Sequence, residues 1–199
     1  GAIFNGYTRV ACDPSFVSNF IAVNTDLSWQ SVDNFNQTAS FIVTNSVDLS
    51  KIVFSYFLAS PGIAVTCGDQ PLVPGVTALD FRSGPLTFTL TPLTGNGAPI
   101  NYQITAIKDL AGTVSLNGQA LEGQTLTVNT SALVKPAWLP PNYQWQRETA
   151  SPDNYVDIAG ATAATYQLTA DDANKKIWVR LTLPVIGSAA VESPAVTVM

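Results

Sequence analysis

Two adjacent aspartates, Asp171 and Asp172, stand in "YQLTADDANKKIWVR", the densest cluster of charge in this 199-residue chain. Neighbouring carboxylates can hold a cation, work as an acid/base pair, sit in a helix or close a corner between strands. A calcium loop needs about 6–8 oxygen ligands, more than this stretch supplies. Glycoside hydrolysis needs two carboxylates facing each other across a sugar, and adjacent residues in an extended chain point to opposite sides. The chain has no histidine, which excludes a Ser-His-Asp or Cys-His site and a His-ligated zinc. Its two cysteines, Cys12 and Cys67, are too few for a structural zinc site. They either pair or remain as two free thiols. The other side chains with chemistry to offer are aromatic. Trp138 in "KPAWLPPNY", Tyr155 in "SPDNYVD" and Trp178 in "KIWVRLTL" could stack on sugar rings if exposed. Otherwise they are ordinary packing, which is the commoner fate of scattered aromatics.

What must position these residues is a set of strands. Charged residues make up 12%, about half of the typical 25% or so. Thr, Ser, Asn and Gln must therefore supply the polar surface, and 13 Gly with 13 Pro favour many turns. "PLTFTLTPL" sets Leu86, Phe88 and Leu90 against Thr87, Thr89 and Thr91, and "NYQITAI" groups Tyr102, Ile104 and Ala106. "TGNGAP" between them completes a hairpin signature. Further strands are expected in "FVSNFIAV", "ASFIVTN", "KIVFSYFLA" and "IAVTC", with a helical hint only at "SVDLSK". After Ile107 the pattern restarts beyond a polar joint, "KDLAG", with strands in "TVSLNG", "QTLTVNT", "NYQWQRE", "TYQLT", "KIWVRLTL" and "PAVTVM". The reading is all-β, with two antiparallel β-sandwich domains in tandem, 1–109 and 110–199. The net charge of −5 argues against nucleic acid, and no apolar run approaches the roughly 20 residues of a membrane-spanning helix.

Residues 112–199 resemble the bacterial immunoglobulin-like modules found in tandem on secreted and cell-surface proteins. The resemblance lies in "GTVSLNGQALEGQTLTV", "YQWQRE", "IAGATAATYQLTADDANKKIWVRLTL" and "ESPAVTV". Trp145 then resembles the buried strand-C tryptophan of immunoglobulin domains, with Gln144 and Gln146 outside. The resemblance also implies a role for the aspartates: a one-turn corner before strand F that usually reads Asp-x-Gly-Lys. Here Asp172 would accept backbone N–H bonds, and Asn174 would take the left-handed position of the glycine. Residues 16–107 are similar to an immunoglobulin/cadherin-like domain of unknown function on surface lipoproteins of gut Bacteroidetes. That similarity lies in "VDLSKIVFSYFLASPGIAVTCGD", "GVTALDFRSGPLTFTLTPL" and "INYQITAI". It implies a β-sandwich and export, with a leader removed before Gly1. In an exported protein an even cysteine count implies a Cys12–Cys67 disulfide.

The expected function is a non-catalytic surface or secreted module, acting as an adhesion or spacer element and needing no metal or cofactor. The alternative is glycan capture through Trp138, Tyr155 and Trp178, with a polysaccharide rather than another surface protein as partner. A glycoside-active enzyme is a distant third. Strand alternation puts Trp178 and Arg180 on the solvent face, opposite Ile177, Val179 and Leu181.

Overall fold

The computed structural model describes residues 20–23, 27–33, 35–57, 63–93, 97–151, 154–185 and 187–199; of 20–30 and 55–57 only the backbone is described. The chain divides into two compact units, Gly1–Ile107 and Lys108–Met199.

In the first unit the strands are β1 (Phe20–Val23), β2 (Leu27–Asp33), β3 (Thr38–Val43), β4 (Ile52–Phe57), β5 (Ile63–Cys67), β6 (Gln70–Pro71), β7 (Ala78–Leu79), β8 (Leu86–Pro92) and β9 (Ile100–Lys108). They form a six-stranded sheet, β2-β3-β9-β8-β5-β6, and a three-stranded sheet, β1-β4-β7. The alternation of "PLTFTLTPL" and "NYQITAI" is realised in the β8–β9 hairpin, where Phe88 faces Tyr102 and Leu86 faces Ile104. Phe54 of β4 sits at the centre of the core. Its ring lies 5.5 Å from Phe41, 5.9 Å from Phe88 and 6.2 Å from Phe81, the last two edge-on, as the ring quadrupole favours. Strand β2 is not among the sequence expectations. Its tail, Ser31-Val32-Asp33, carries little β-branched signal, and it forms by pairing with β3. The "SVDLSK" hint is a turn rather than a helix: Asp48 Oδ1 accepts the Ser50 N–H at 2.9 Å and the Ser50 hydroxyl at 2.7 Å.

The second unit holds β10 (Ala111–Gly112), β11 (Ser115–Asn117), β12 (Thr125–Asn129), β13 (Leu133–Val134), β14 (Asn142–Glu148), β15 (Tyr155–Asp157), β16 (Thr165–Gln167), β17 (Lys176–Thr182), β18 (Val191–Glu192) and β19 (Val196–Thr197). One sheet runs β11-β12-β16 and the other β15-β14-β17-β18, with β19 also on β17 and a small β10–β13 pair beside them. This is the A-B-E over C′-C-F-G arrangement of an immunoglobulin-like sandwich. Trp145 on β14 is fully buried, as are Leu126, Leu168, Ile177, Val179 and Leu181 of the same unit, all at 0–1% exposure; it pairs with Val179 across the sheet and its ring lies 5.4 Å from that of Tyr166. Its indole N–H donates to the Ala163 carbonyl at 2.9 Å, so the buried donor is satisfied.

Three expectations need correction here. Tyr155, expected from the polar "SPDNYVD" stretch to lie in a loop, lies in β15; the strand is only three residues long, too short for an alternation signal. Gln146 points to the outer side of β14 but is buried at 6%, because it stands between Trp178 and Asp157 across the two neighbouring strands. "KDLAG" is not merely a polar joint. Lys108 ends β9, Leu110 is buried, and Asp109 Oδ1 accepts the N–H groups of Leu110 and Ala189 at 2.9 Å and the Ser188 hydroxyl at 3.2 Å.

Candidate functional site

The Asp171–Asp172 corner opens with a single 3-10 turn, Ala170–Asp172. The Asp172 side chain has no exposed surface. Its Oδ2 accepts the Thr169 N–H at 2.7 Å, the Tyr166 hydroxyl at 2.9 Å and the Thr169 hydroxyl at 3.0 Å; its Oδ1 accepts Arg147 Nε–H at 2.5 Å. Burial alone would raise this carboxyl, but the Thr169, Arg147 and Tyr166 donors outweigh it and hold the group below the usual carboxylate range. Tyr166 moves the other way, pushed up by burial and by donating to Asp172. Asn174 adopts φ 60° and returns the chain to β17, its N–H donating to the Val198 carbonyl at 2.9 Å. Asp171 is exposed, 3.9 Å from Arg147 Nη1. A carboxylate held by four internal donors and shut off from solvent is not presented to a substrate or a metal. Among the described residues no three metal-ligating side chains gather.

The second cluster lies on the outer side of the β15-β14-β17-β18 sheet. Trp178 pairs across β14 with Gln146, and Gln146 pairs with Asp157 of β15, which carries Tyr155. The Tyr155 and Trp178 rings lie 5.3 Å apart at 59°, and the Arg180 guanidinium sits 5.8 Å over the indole. Arg180 is held there by Glu192, its Nε–H donating to Oε1 at 3.1 Å. Gln146 Nε2 donates to Asp157 Oδ1 at 2.5 Å, and Lys176 faces Glu148 at 3.3 Å. Trp178 is therefore half-buried rather than open to solvent, because its neighbours on the same face lean on it. Its indole N–H is buried without an acceptor among the described residues.

Trp138 is half-buried and lies in the turn before β14, four residues ahead of Asn142. No ring contact joins it to the Tyr155–Trp178 pair. Cys67 ends β5 half-buried, and burial pushes its thiol up; no disulfide is found among the described residues, and Cys12, its expected partner, lies outside them. Sequence reasoning missed Arg147, which the Gln-Arg-Glu context presents as a surface residue, and Glu192, which β18 brings beside Arg180.

No family model matches the chain, and no curated protein does. Among solved structures, domains A168–A170 of titin match at 12% identity with a TM-score of 0.42, over 74% of this chain and 57% of that one. The chain thus spans little more than half of that fragment. Human mucin-like protocadherin EC1-2 matches at 11% identity with a TM-score of 0.29, over 86% of this chain and 98% of that one. The immunoglobulin-like assignment rests on strand order and core, not on these scores.

Proposed function

We propose that this chain is a non-catalytic interaction module of the adhesion or spacer kind, exported and displayed at a cell surface, with 1–109 and 110–199 as its two domains. The bacterial surface setting comes from the sequence resemblance alone. One observation carries the choice of adhesion over glycan capture: Trp178 is half-buried, with Arg180 over its ring and Tyr155 tilted against it. A sugar platform needs a free aromatic face, and two rings at 59° offer no common plane to successive sugars. The acids point the same way. Asp172 is buried and held by four internal donors, and Asp80 is clamped by Arg82 and held down to about 2.

Glycan capture keeps a specific point in its favour, since Asp157, Glu192 and Arg180 surround the aromatic pair with hydrogen-bonding groups. Affinity electrophoresis through gels containing neutral and acidic polysaccharides separates the two. The adhesion reading expects no retardation on any of them. Retardation that is lost in Trp178→Ala at equal stability would transfer the function to glycan capture.

A further inference from the structure

Asp109, the second residue of the second unit, is fastened to a turn far along the chain. Its Oδ1 accepts the Ala189 N–H at 2.9 Å and the Ser188 hydroxyl at 3.2 Å, besides the N–H of its neighbour Leu110 at 2.9 Å. Ser188 is fastened in turn to the end of β17, its Oγ accepting the Leu183 N–H at 3.2 Å. Leu110 and Leu183 are both buried, so these contacts are rooted in the core.

The chain leaves the unit at the other end of the same strand. Val196 and Thr197 of β19 pair with Ile177 and Lys176, and the Val198 N–H donates to the Lys175 carbonyl at 3.0 Å. In between, Val191 and Glu192 of β18 pair with Leu181 and Arg180. Ser193 closes the gap, its N–H donating to the Val179 carbonyl at 3.0 Å and its Oγ accepting the Val179 N–H at 3.1 Å. The final stretch of chain is thus bonded to β17 from Lys176 to Leu181, about 17 Å at 3.3 Å or so per residue. A pull on the two ends of the unit then runs along the strands. Bonds pulled along their strand yield together, whereas bonds peeled from a free end yield one after another. Asp109 passes the pull to β17. The next contact inward, β10 with β13, is only two residue pairs long and lies outside the β17 sheet.

We propose that Asp109 is a tension latch, which fastens the entry of the second unit to the end of β17 so that a pull on the chain is taken up along that strand. A carboxylate suits this task, because charge-assisted hydrogen bonds are shorter and roughly twice as strong as neutral ones. With the latch gone, the same pull falls on the two pairs of β10 and β13 and opens the unit from its entry. Such a device matters to a module that works under tension, so it rests on the adhesion or spacer reading and adds how that module would bear a pull.

The test holds the full chain at constant force in an optical trap, with handles joined through azide-bearing residues at positions 108 and 199. The force then crosses the second unit by way of Asp109. Asp109→Ala should speed its unfolding under force about tenfold or more, the factor set by the loss of one hydrogen bond to a charged group. Ser188→Ala cuts the same path one step later and should act in the same direction. Asp109→Asn keeps the acceptor oxygen without its charge and should fall between Asp109→Ala and the wild type. A second pair of handles, at positions 131 and 199, pulls from the same end of the unit, because the Thr113 N–H donates to the Ala132 carbonyl there at 3.3 Å. That path does not pass through Asp109, and along it Asp109→Ala should leave the rate nearly unchanged. The proposal is overturned if Asp109→Ala does not speed unfolding from position 108. It is also overturned if the change speeds unfolding equally from both positions, since Asp109 would then be an ordinary stabilising contact. Neither result alters the outcome in polysaccharide gels, so the latch and the adhesion reading fail separately.

Discussion

Replacing Asp172 by asparagine keeps the shape of the side chain and removes its charge. Four donors converge on the native carboxylate, three on Oδ2 and Arg147 Nε on Oδ1. An asparagine must turn its NH₂ toward one group or the other, so it sets donor against donor in either orientation. Removing one partner of a buried ion pair costs about 3–5 kcal/mol, because the other charge stays behind. Arg147 retains 19% side-chain exposure, so water recovers part of its charge and the low end applies, about 3 kcal/mol. For a unit of this size that lowers the melting temperature by roughly 12–24 °C. Urea unfolding followed by the fluorescence of buried Trp145 measures it. A double-mutant cycle with Arg147→Met should return a coupling of about 1–3 kcal/mol. The pH dependence has a definite sign. The folded Asp172 titrates below its ordinary 3.8, so its contribution is present above that value and is lost as pH falls through the depressed one. Asp172→Asn should lack that acid-side slope. A loss under about 1 kcal/mol, the range of exposed pairs, would refute the reading of this network as the clamp of the corner.

Trp145→Ala should cost about 3–5 kcal/mol in the second unit and leave a separate transition for the first, as a urea titration would show; disappearance of both transitions together would remove the two-domain proposal. Gly112 has φ 91°, and a Cβ there would run into the Ala132 carbonyl oxygen; Gly112→Ala should therefore lower the thermal midpoint, and an unchanged midpoint would contradict the close approach of β10 and β13. The proposed Cys12–Cys67 bond predicts no reactive thiol in the unfolded, unreduced protein, and a titration finding two thiols would dismiss it.

Much of this fold was legible because alternation and burial coincide. In β14 and β17, Trp145, Ile177, Val179 and Leu181 fall on one side by a period of two, and the same side is the core. Strands of two or three residues, such as β15 and β18, are too short to show a period and exist only because a neighbour pairs with them. The site was less legible for a related reason. Asp172 finds Arg147 25 residues away, and no local pattern announces that meeting. The cover on Trp178 is likewise assembled from three strands, with Tyr155 and Glu192 each supplied by one of the short ones.

The outer face of the second sandwich is packed for cohesion and is not an open platform, and Trp178→Ala separates the two. The change removes an aromatic pair and a cation–π contact, each worth about 0.5–1.5 kcal/mol, and also removes a buried N–H that has no acceptor. A packed face loses about 1 kcal/mol on this change, which lowers the thermal midpoint by about 4–8 °C, with no change in mobility through any polysaccharide gel. An unchanged midpoint together with lost retention on a glycan that holds the wild type would contradict it.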